Sequence, residues 1–380
     1  MKQGLIILIG IHGLIHLFGF LKAYGISKFS GIDQPISKLS GLFWLLAFLL
    51  FFVTIILLLI RSDYWWVCGF LGLFTSQTLI FIYWSDARYG TIANLIILLP
   101  AILAYSNHNF KNSIKKERIA LFNSSKAAST VNVTKDDISD LPPIVQKWLT
   151  NSGIIGKPRV SNVYLIQELQ LKLKPEQTEW NKGIAEQYFT ITPPAFNWNI
   201  NTELNPLLGI SGRDKFEDGK GEMLIKLLSL VPVADAKNNE KINQAALQRY
   251  LAEIVWFPSA SLSKYIHWES LDDISAKATM EFNGTKGSGV YYFDNDGQFK
   301  KFTALRYKDT NDTEPTEWTV SAQKITELNG IKIPTECDAS WQLENEKWTW
   351  LKLEIKHIEY NIEKMPVTNN RSTPSENSQL

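Results

Sequence analysis

The sequence predicts an α+β protein in which an N-terminal four-helix transmembrane bundle is followed by a curved antiparallel β-sheet, an open half-barrel with one main helix. Two observations support this fold class. Nearly all long apolar runs of the 380-residue chain lie between residues 5 and 106, and from Arg159 onward apolar and polar residues alternate. The predicted organisation is a transmembrane domain over 1–106, a linker over 107–140, a β-rich soluble domain over 141–364 and a disordered tail over 365–380.

Four apolar runs are each close to the ~20 residues that a helix needs to cross a hydrocarbon core of ~30 Å. They lack the alternation of barrel strands, so helices are the structure that satisfies their backbone in lipid. No small-x-small cleavage site follows Phe20, so the first run is expected to be retained and not removed as a signal peptide. The predicted spans are Leu5–Leu21, Leu42–Ile60, Tyr64–Trp84 and Tyr89–Tyr105.

The charge distribution predicts an orientation but no class of soluble partner. The formal net charge is +1, which provides no field for nucleic acid, and no nucleic-acid binding is predicted. With four spans, both termini lie on one side, which carries six lysine and arginine residues near the spans against four on the other side. The positive-inside rule therefore places the soluble domain in the cytoplasm. The two cysteines lie in different regions and define no disulfide framework.

The soluble domain is predicted from short alternating segments that end in turn residues such as Asn-Gly and Asp-Gly. Residues 107–140 are polar, which favours a frayed helix end followed by a linker. A short helix, Ile144–Thr150, and one amphipathic helix, Gln244–Val255 with Asn243 as its N-cap, complete the domain. The predicted strands are Val163–Lys174, Ala185–Ile191, Phe196–Leu204, Gly209–Phe216, Glu222–Leu228, Ser275–Phe282, Gly289–Phe293, Phe299–Tyr307, Trp318–Leu328, Cys337–Leu343 and Trp348–Tyr360.

Two histidines in the first span, His12 and His16, lie one helical turn apart and face the same way. Ionisable residues in lipid are costly, so they mark a candidate haem or metal pair. The alternative is interhelical hydrogen bonding to Ser76, Gln77 or Asn94. Two histidines on one helix lack the further ligands that a metal needs, so packing is the favoured interpretation and no cofactor is predicted.

No catalytic constellation is recognisable in the soluble domain. An enzyme acting near the membrane through Asp214, Glu253 or His267 is the alternative hypothesis, and it requires two of these side chains within about 4 Å in a cleft. The spacing of Arg249 and Glu253 is typical of a surface ion pair on successive helical turns. A third hypothesis is a structural or sensory partner of another membrane protein.

Tryptophans give the leading functional hypothesis, because they are dense for a sheet of this size. They indicate either a core of wide side chains or an aromatic-lined sheet face that binds an apolar or lipid-like ligand or an envelope component without catalysis. The predicted partners are membrane lipid, an apolar ligand or a membrane protein. The candidate ligand-binding residues are Trp198, Asp214, Tyr250, Glu253, Trp256, Pro258 and Arg306.

Several phrases resemble an uncharacterised bacterial family of membrane-anchored proteins whose C-terminal domain has no known function. The resemblance covers about residues 141–360 and the four-helix front, and it supplies no catalytic residues. On architecture alone, the domain is also similar to the half-open sheets of bacterial lipoprotein carriers, which implies only a hypothesis about function. The phrases are His12-Gly-Leu-Ile-His16, Trp84-Ser-Asp-Ala-Arg-Tyr-Gly-Thr91, Leu141-Pro-Pro143, Pro194-Ala-Phe-Asn-Trp198, Arg213-Asp214 and Arg249-Tyr-Leu-Ala-Glu-Ile-Val-Trp-Phe-Pro258.

Overall fold

The computed structural model describes residues 2–27, 31, 33–125, 131–205 and 208–366. It divides into two compact units, Met1–Ser113 with Leu228–Leu230, and Ile114–Leu227 with Val231–Leu380. Apart from Met365 and Pro366, the predicted tail over 365–380 lies outside the described residues. The α-helices are α1 Lys2–Ala23, α2 Lys38–Leu59, α3 Trp65–Ile82, α4 Trp84–Ala87, α5 Gly90–Ser124, α6 Pro143–Asn151 and α7 Glu240–Glu253.

Four of these helices, α1, α2, α3 and α5, are long and apolar enough to cross a membrane. At most 33 % of each apolar span is buried, and many of the other apolar side chains are exposed, as expected for a surface that meets lipid. The predicted N-terminal helical domain is therefore confirmed as a fold. Its last helix does not end at Tyr105, because α5 continues to Ser124 through the first part of the predicted linker.

Packing on the sheet explains why the polar end of α5 is helical. The part of α5 from Ile114 onward belongs to the second unit, where Arg118 is 5 % exposed. Its guanidinium donates to the Glu186 carboxylate at 2.6 Å and to the Asn197 side chain at 3.2 Å. Leu121 packs beside Tyr188 in a small buried cluster. These contacts lie far apart in sequence, so the composition of residues 107–124 does not reveal them.

The second unit is built on one antiparallel sheet of thirteen strands in the order β6-β5-β4-β3-β2-β1-β13-β12-β11-β10-β9-β8-β7. All eleven predicted strands are present, with shifted ends. The strands are β1 Asn162–Leu171, β2 Asn181–Ile191, β3 Pro194–Asn205, β4 Leu208–Glu217, β5 Lys220–Leu227, β6 Val231–Ala236, β7 Ile266–Ser270, β8 Ser275–Phe282, β9 Thr285–Phe293, β10 Phe299–Arg306, β11 Thr316–Leu328, β12 Ile331–Gln342 and β13 Lys347–Tyr360.

The two strands that sequence patterns missed, β6 and β7, are the edges of the sheet. Strand β6 contains Pro232, which a central strand does not tolerate, and β7 has only five residues. Edge strands are short and only partly covered, so they carry little periodic signal.

Helix α7 shows that the sheet curls. It contacts β4 and β5 near one edge and β8, β9 and β10 near the other, so both ends of the sheet approach the same helix. The β4–β5 and β8–β9 turns also meet, since Thr285 donates to the Gly219 carbonyl at 2.6 Å. We call the face that holds α7 the inner face. The predicted half-barrel with one main helix is confirmed.

The N-terminus of α7 lies four residues earlier than predicted. Asn239 caps the helix, because its side-chain oxygen accepts from the Lys241 amide at 2.9 Å. Asn243, the predicted cap, instead accepts from the Gly221 amide at 2.9 Å and ties the helix to β5. Asparagine is a favoured N-cap residue, so the sequence allows either position. The hydrogen bond of Asn243 to β5 leaves Asn239 as the cap.

We expect Gly289→Ala to lower the free energy of unfolding by about 1–3 kcal/mol, because an added Cβ would overlap the ring of fully buried Phe302. Gly209→Ala is the matched control, since its Cβ would meet only the Thr202 carbonyl oxygen, at 3.7 Å. Urea unfolding of the full chain in detergent measures both. Equal stability of the two variants would contradict this packing.

Candidate functional site

The inner face holds a cluster of buried charges centred on Arg249 of α7. Its guanidinium donates to Asp214 of β4 at 2.6 Å and to Glu253 at 2.8 Å. The same group stacks on Trp198 of β3, with 4.7 Å to the ring centroid. Gln187 of β2 donates to the other oxygen of Glu253 at 2.8 Å. The structure therefore brings together three of the predicted site residues, Trp198, Asp214 and Glu253.

The interpretation of Arg249 and Glu253 as a surface pair is wrong. Their side chains are only 16 % and 10 % exposed, because α7 presses this side of the helix against β3 and β4. Burial raises the pKa of Glu253 above its ordinary value. Burial alone would lower the pKa of Arg249, but the two carboxylates outweigh it and raise that pKa. Arg249 is thus a neutralised cation.

A second arginine on this face has no such partner. Arg306, at the end of β10, stacks over Trp318 with 4.1 Å to the ring centroid and lies 5.9 Å from that of Trp341. Its Nε is buried, and no hydrogen bond or ion pair joins the guanidinium to any part of the chain that the structure describes. Burial lowers the pKa of Arg306 to about 10, so the group remains charged at neutral pH.

Four tryptophans of neighbouring strands, Trp318, Trp341, Trp348 and Trp350, form what we call the tryptophan group. Trp318 pairs with Trp341, and Trp341 pairs with Trp348, across β11, β12 and β13. Within the described ranges, the indole N–H groups of Trp318, Trp348 and Trp350 are buried without an acceptor. Two other buried indoles of the domain have an acceptor, since Trp256 donates to the Pro334 carbonyl and Trp268 to the Ser261 carbonyl. The three unpartnered indoles lie on β11 and β13.

The other predicted ligand residues lie in the core. The Tyr250 hydroxyl donates to the Thr190 carbonyl at 3.0 Å, and the Trp256 indole to the Pro334 carbonyl at 3.0 Å. Both side chains and Pro258 are buried. The structure does not place these three residues beside the tryptophan group, and their role in ligand binding stays a prediction.

His267, the third residue of the enzyme hypothesis, lies on edge strand β7. Its side chain is 74 % exposed and its nearest acidic partner is Glu269, at 3.9 Å. Asp214 and Glu253 both bind Arg249 on the inner face. The structure therefore brings Asp214 and Glu253 together around one guanidinium and leaves His267 apart from them. An enzyme acting through Asp214 and Glu253 stays a prediction.

The polar residues of the first unit form an interhelical network. His12 Nε2 lies 2.8 Å from Asn94 Oδ1 and 3.2 Å from Ser76 Oγ, and Asn94 donates to Gln77 at 3.0 Å. His16 Nδ1 donates to the His12 carbonyl at 2.8 Å. These are the hydrogen bonds that the packing interpretation predicts. In the described part of the chain, no three His, Cys, Asp or Glu residues are placed to hold a metal.

A separate cleft of about 610 Å³ lies where the sheet forks. Pairing of β9 with β10 stops at Val290 and Thr303, and Gln248 of α7 donates to the Ser288 and Leu305 carbonyls at 3.1 and 3.0 Å. The Gln248 amide thus donates to backbone carbonyls of β9 and β10 where these two strands no longer pair with each other. No sequence pattern indicated this fork.

Residues 139–360 match the model of a family of unknown function, DUF6920. The chain belongs to this family. The membership confirms the resemblance noted from the sequence, and no curated protein matches the chain significantly. Among solved structures, the chain is similar to a LolA-superfamily protein from Nitrosomonas europaea, with 9 % identity, 62 % of this chain and 96 % of that chain covered, and a TM-score of 0.31.

Glu253→Gln tests the charge balance in the DUF6920 domain. Because the pKa of Glu253 is raised, the folded protein retains this proton at a pH where the unfolded chain has lost it. The stability that the carboxyl contributes is therefore present at low pH and lost as the pH rises above its ordinary pKa of 4.5. We expect the free energy of unfolding of the variant, relative to wild type, to increase over that range by at most about 1.4 kcal/mol per pH unit. Urea unfolding at each pH measures it.

Glu222→Gln is the control with the opposite sign. Burial raises the pKa of Glu222, but Arg213 and Lys215 outweigh it and hold that pKa below its ordinary value. The stability from Glu222 is present above the ordinary pKa of 4.5 and is lost as the pH falls below it. The difference in free energy of unfolding between Glu222→Gln and wild type should therefore stay constant at higher pH. Parallel pH profiles for the two variants would contradict the burial of Glu253.

Proposed function

We propose that this is a multi-pass membrane protein whose DUF6920 domain binds an apolar, lipid-like ligand on its inner face without catalysis. One observation supports the proposal: the inner face carries, on β11 and β13, three tryptophans whose buried N–H groups have no acceptor in the described chain. A closed core normally satisfies such donors. A concave face lined by indoles with unpartnered donors is typical of a ligand site.

The chemistry of the lining supports an apolar ligand. Leu169 and Ile200 form a small cluster on β1 and β3, with Trp198, Trp350 and Leu353 packed against it while only partly buried. A hydrocarbon chain lying on these side chains would remove apolar surface from water, which stabilises the complex by about 25 cal/mol per Å². The four apolar helices would hold the domain close to a source of such ligands.

The distribution of basic residues supports one orientation in the membrane. Lysine and arginine are in excess on the side that holds both termini, which supports a cytoplasmic DUF6920 domain. One of the six basic residues on that side, Arg118, is buried against the sheet, which reduces the excess by one.

A neutral photoactivatable probe, a diazirine-bearing hexadecanol, tests the proposal on the full chain in detergent. We expect adducts on peptides of β11 to β13, and labelling reduced at least about fivefold by Leu353→Gln, which places an amide on the apolar lining. Lys352→Gln is the matched control, because its side chain leaves the opposite face of the same strand. Adducts confined to α1, α2, α3 and α5 would overturn the proposal.

A further inference from the structure

The two inner-face arginines differ in one respect that bears on the ligand. Arg249 has two carboxylates within 2.8 Å, from Asp214 and Glu253. Arg306 has none among the described residues, although its Nε is as well shielded from water as a core atom. The inner face therefore contains one arginine in direct ion pairs and one, Arg306, on which the charges of Asp214 and Glu253 act only at longer range and which has no ion pair among the described residues.

The Arg306 residue is partly exposed, but its Nε is buried without a partner, and this is costly. Removing a charge from water without a partner is far more unfavourable than removing a paired one. Stacking on Trp318 recovers part of this cost through a cation–π contact, but that contact uses only the flat face of the group. The N–H donors lie in the guanidinium plane and point to its edge, where they match the two oxygens of a carboxylate or phosphate.

The surrounding groups favour an acceptor at the same place. The indole N–H groups of Trp318 and Trp348 are further donors without partners. The two carboxylates whose charge acts on Arg306, those of Asp214 and Glu253, are hydrogen-bonded to Arg249 instead. An incoming oxyanion would therefore meet donors in excess and a carboxylate charge that is already compensated.

Building on the proposed function, we propose that the ligand is an anionic amphiphile, a long hydrocarbon chain with a terminal carboxylate or phosphate, and that Arg306 binds the oxyanion inside the inner face. The chain then lies along Trp350, Trp198 and the leucines beside them. A neutral hydrocarbon would leave the Arg306 donors unpaired, and a cationic amphiphile would place two like charges together.

Competition against the neutral diazirine probe tests this on the full chain in detergent. The competitors are hexadecanoic acid, hexadecyl phosphate and hexadecan-1-ol. We expect the acid or the phosphate to compete at a concentration at least about tenfold lower than the alcohol, the effect of one charge-assisted bidentate contact. The better of the two anions identifies the head group.

Arg306→Gln should reduce the difference between anion and alcohol to within about twofold and leave competition by the alcohol unchanged, because only the charged contact is lost. Lys172→Gln, which removes another cation stacked on a tryptophan, Trp180, should behave as wild type. If Arg306→Gln does not fold, the neutral variant Arg306→Met and the wild-type comparison of acid with alcohol still decide.

Equal competition by acid and alcohol in wild type would overturn the inference and leave the proposed function standing. An anion preference that persists in the Arg306 variants would also overturn it. Absence of labelling on β11 to β13 would instead overturn the proposed function.

Discussion

The structure depends on a mismatch between one helix and a wide sheet. Helix α7 has 14 residues and is about 21 Å long, whereas thirteen strands span about 58 Å. One such helix cannot cover the inner face. Curling brings both edges of the sheet to α7, and Trp148 of α6 packs with Trp268, Tyr291 and Phe293 under the β7–β10 side. The residues that follow α7 cover one end of the middle strands, where Trp256 donates to the Pro334 carbonyl of β12 and Tyr360 of β13 donates to the Trp256 carbonyl. The tryptophan group lies at the other end of these strands.

The charged groups follow from the same geometry. Where α7 meets β3 and β4, Arg249 is enclosed and its charge is balanced by Asp214 and Glu253, so this contact fixes the helix on the sheet. Arg306 stacks on Trp318 and has no hydrogen bond or ion pair within the described ranges. Two arginines of one face therefore have different environments: the first is held by two carboxylates, and the second is held by an aromatic ring alone.

The sequence predicts the elements of this protein better than it predicts their contacts. Alternation and turn residues identify the central strands, because one face of each is buried, whereas β6 and β7 lie at the edges and carry weak patterns. The i, i+4 spacing of Arg249 and Glu253 is the same for a surface pair and a buried one, and only the fold of β3 and β4 over them decides. Likewise, polar composition suggests a linker at residues 107–124, but Arg118 and Leu121 contact the sheet and the helix continues.

For the candidate site, the sequence indicates Trp198, Asp214, Glu253 and Arg306 as ligand candidates. The separate environments of Arg249 and Arg306 depend on strand pairing, which a single sequence does not specify.

The proposed ligand site requires that the indole N–H groups of Trp318, Trp348 and Trp350 face a ligand and not a closed core. Nitrogen-15 NMR of the indole N–H signals in the full chain, assigned by single Trp→Phe variants and recorded with and without hexadecanoic acid, tests it most directly. We expect the indole N–H signals of Trp318, Trp348 and Trp350 to move when the acid is added. Those of Trp256 and Trp268, which donate to the carbonyls of Pro334 and Ser261, should stay in place. Unchanged signals from all three indoles, or equal movement of all five, would contradict it.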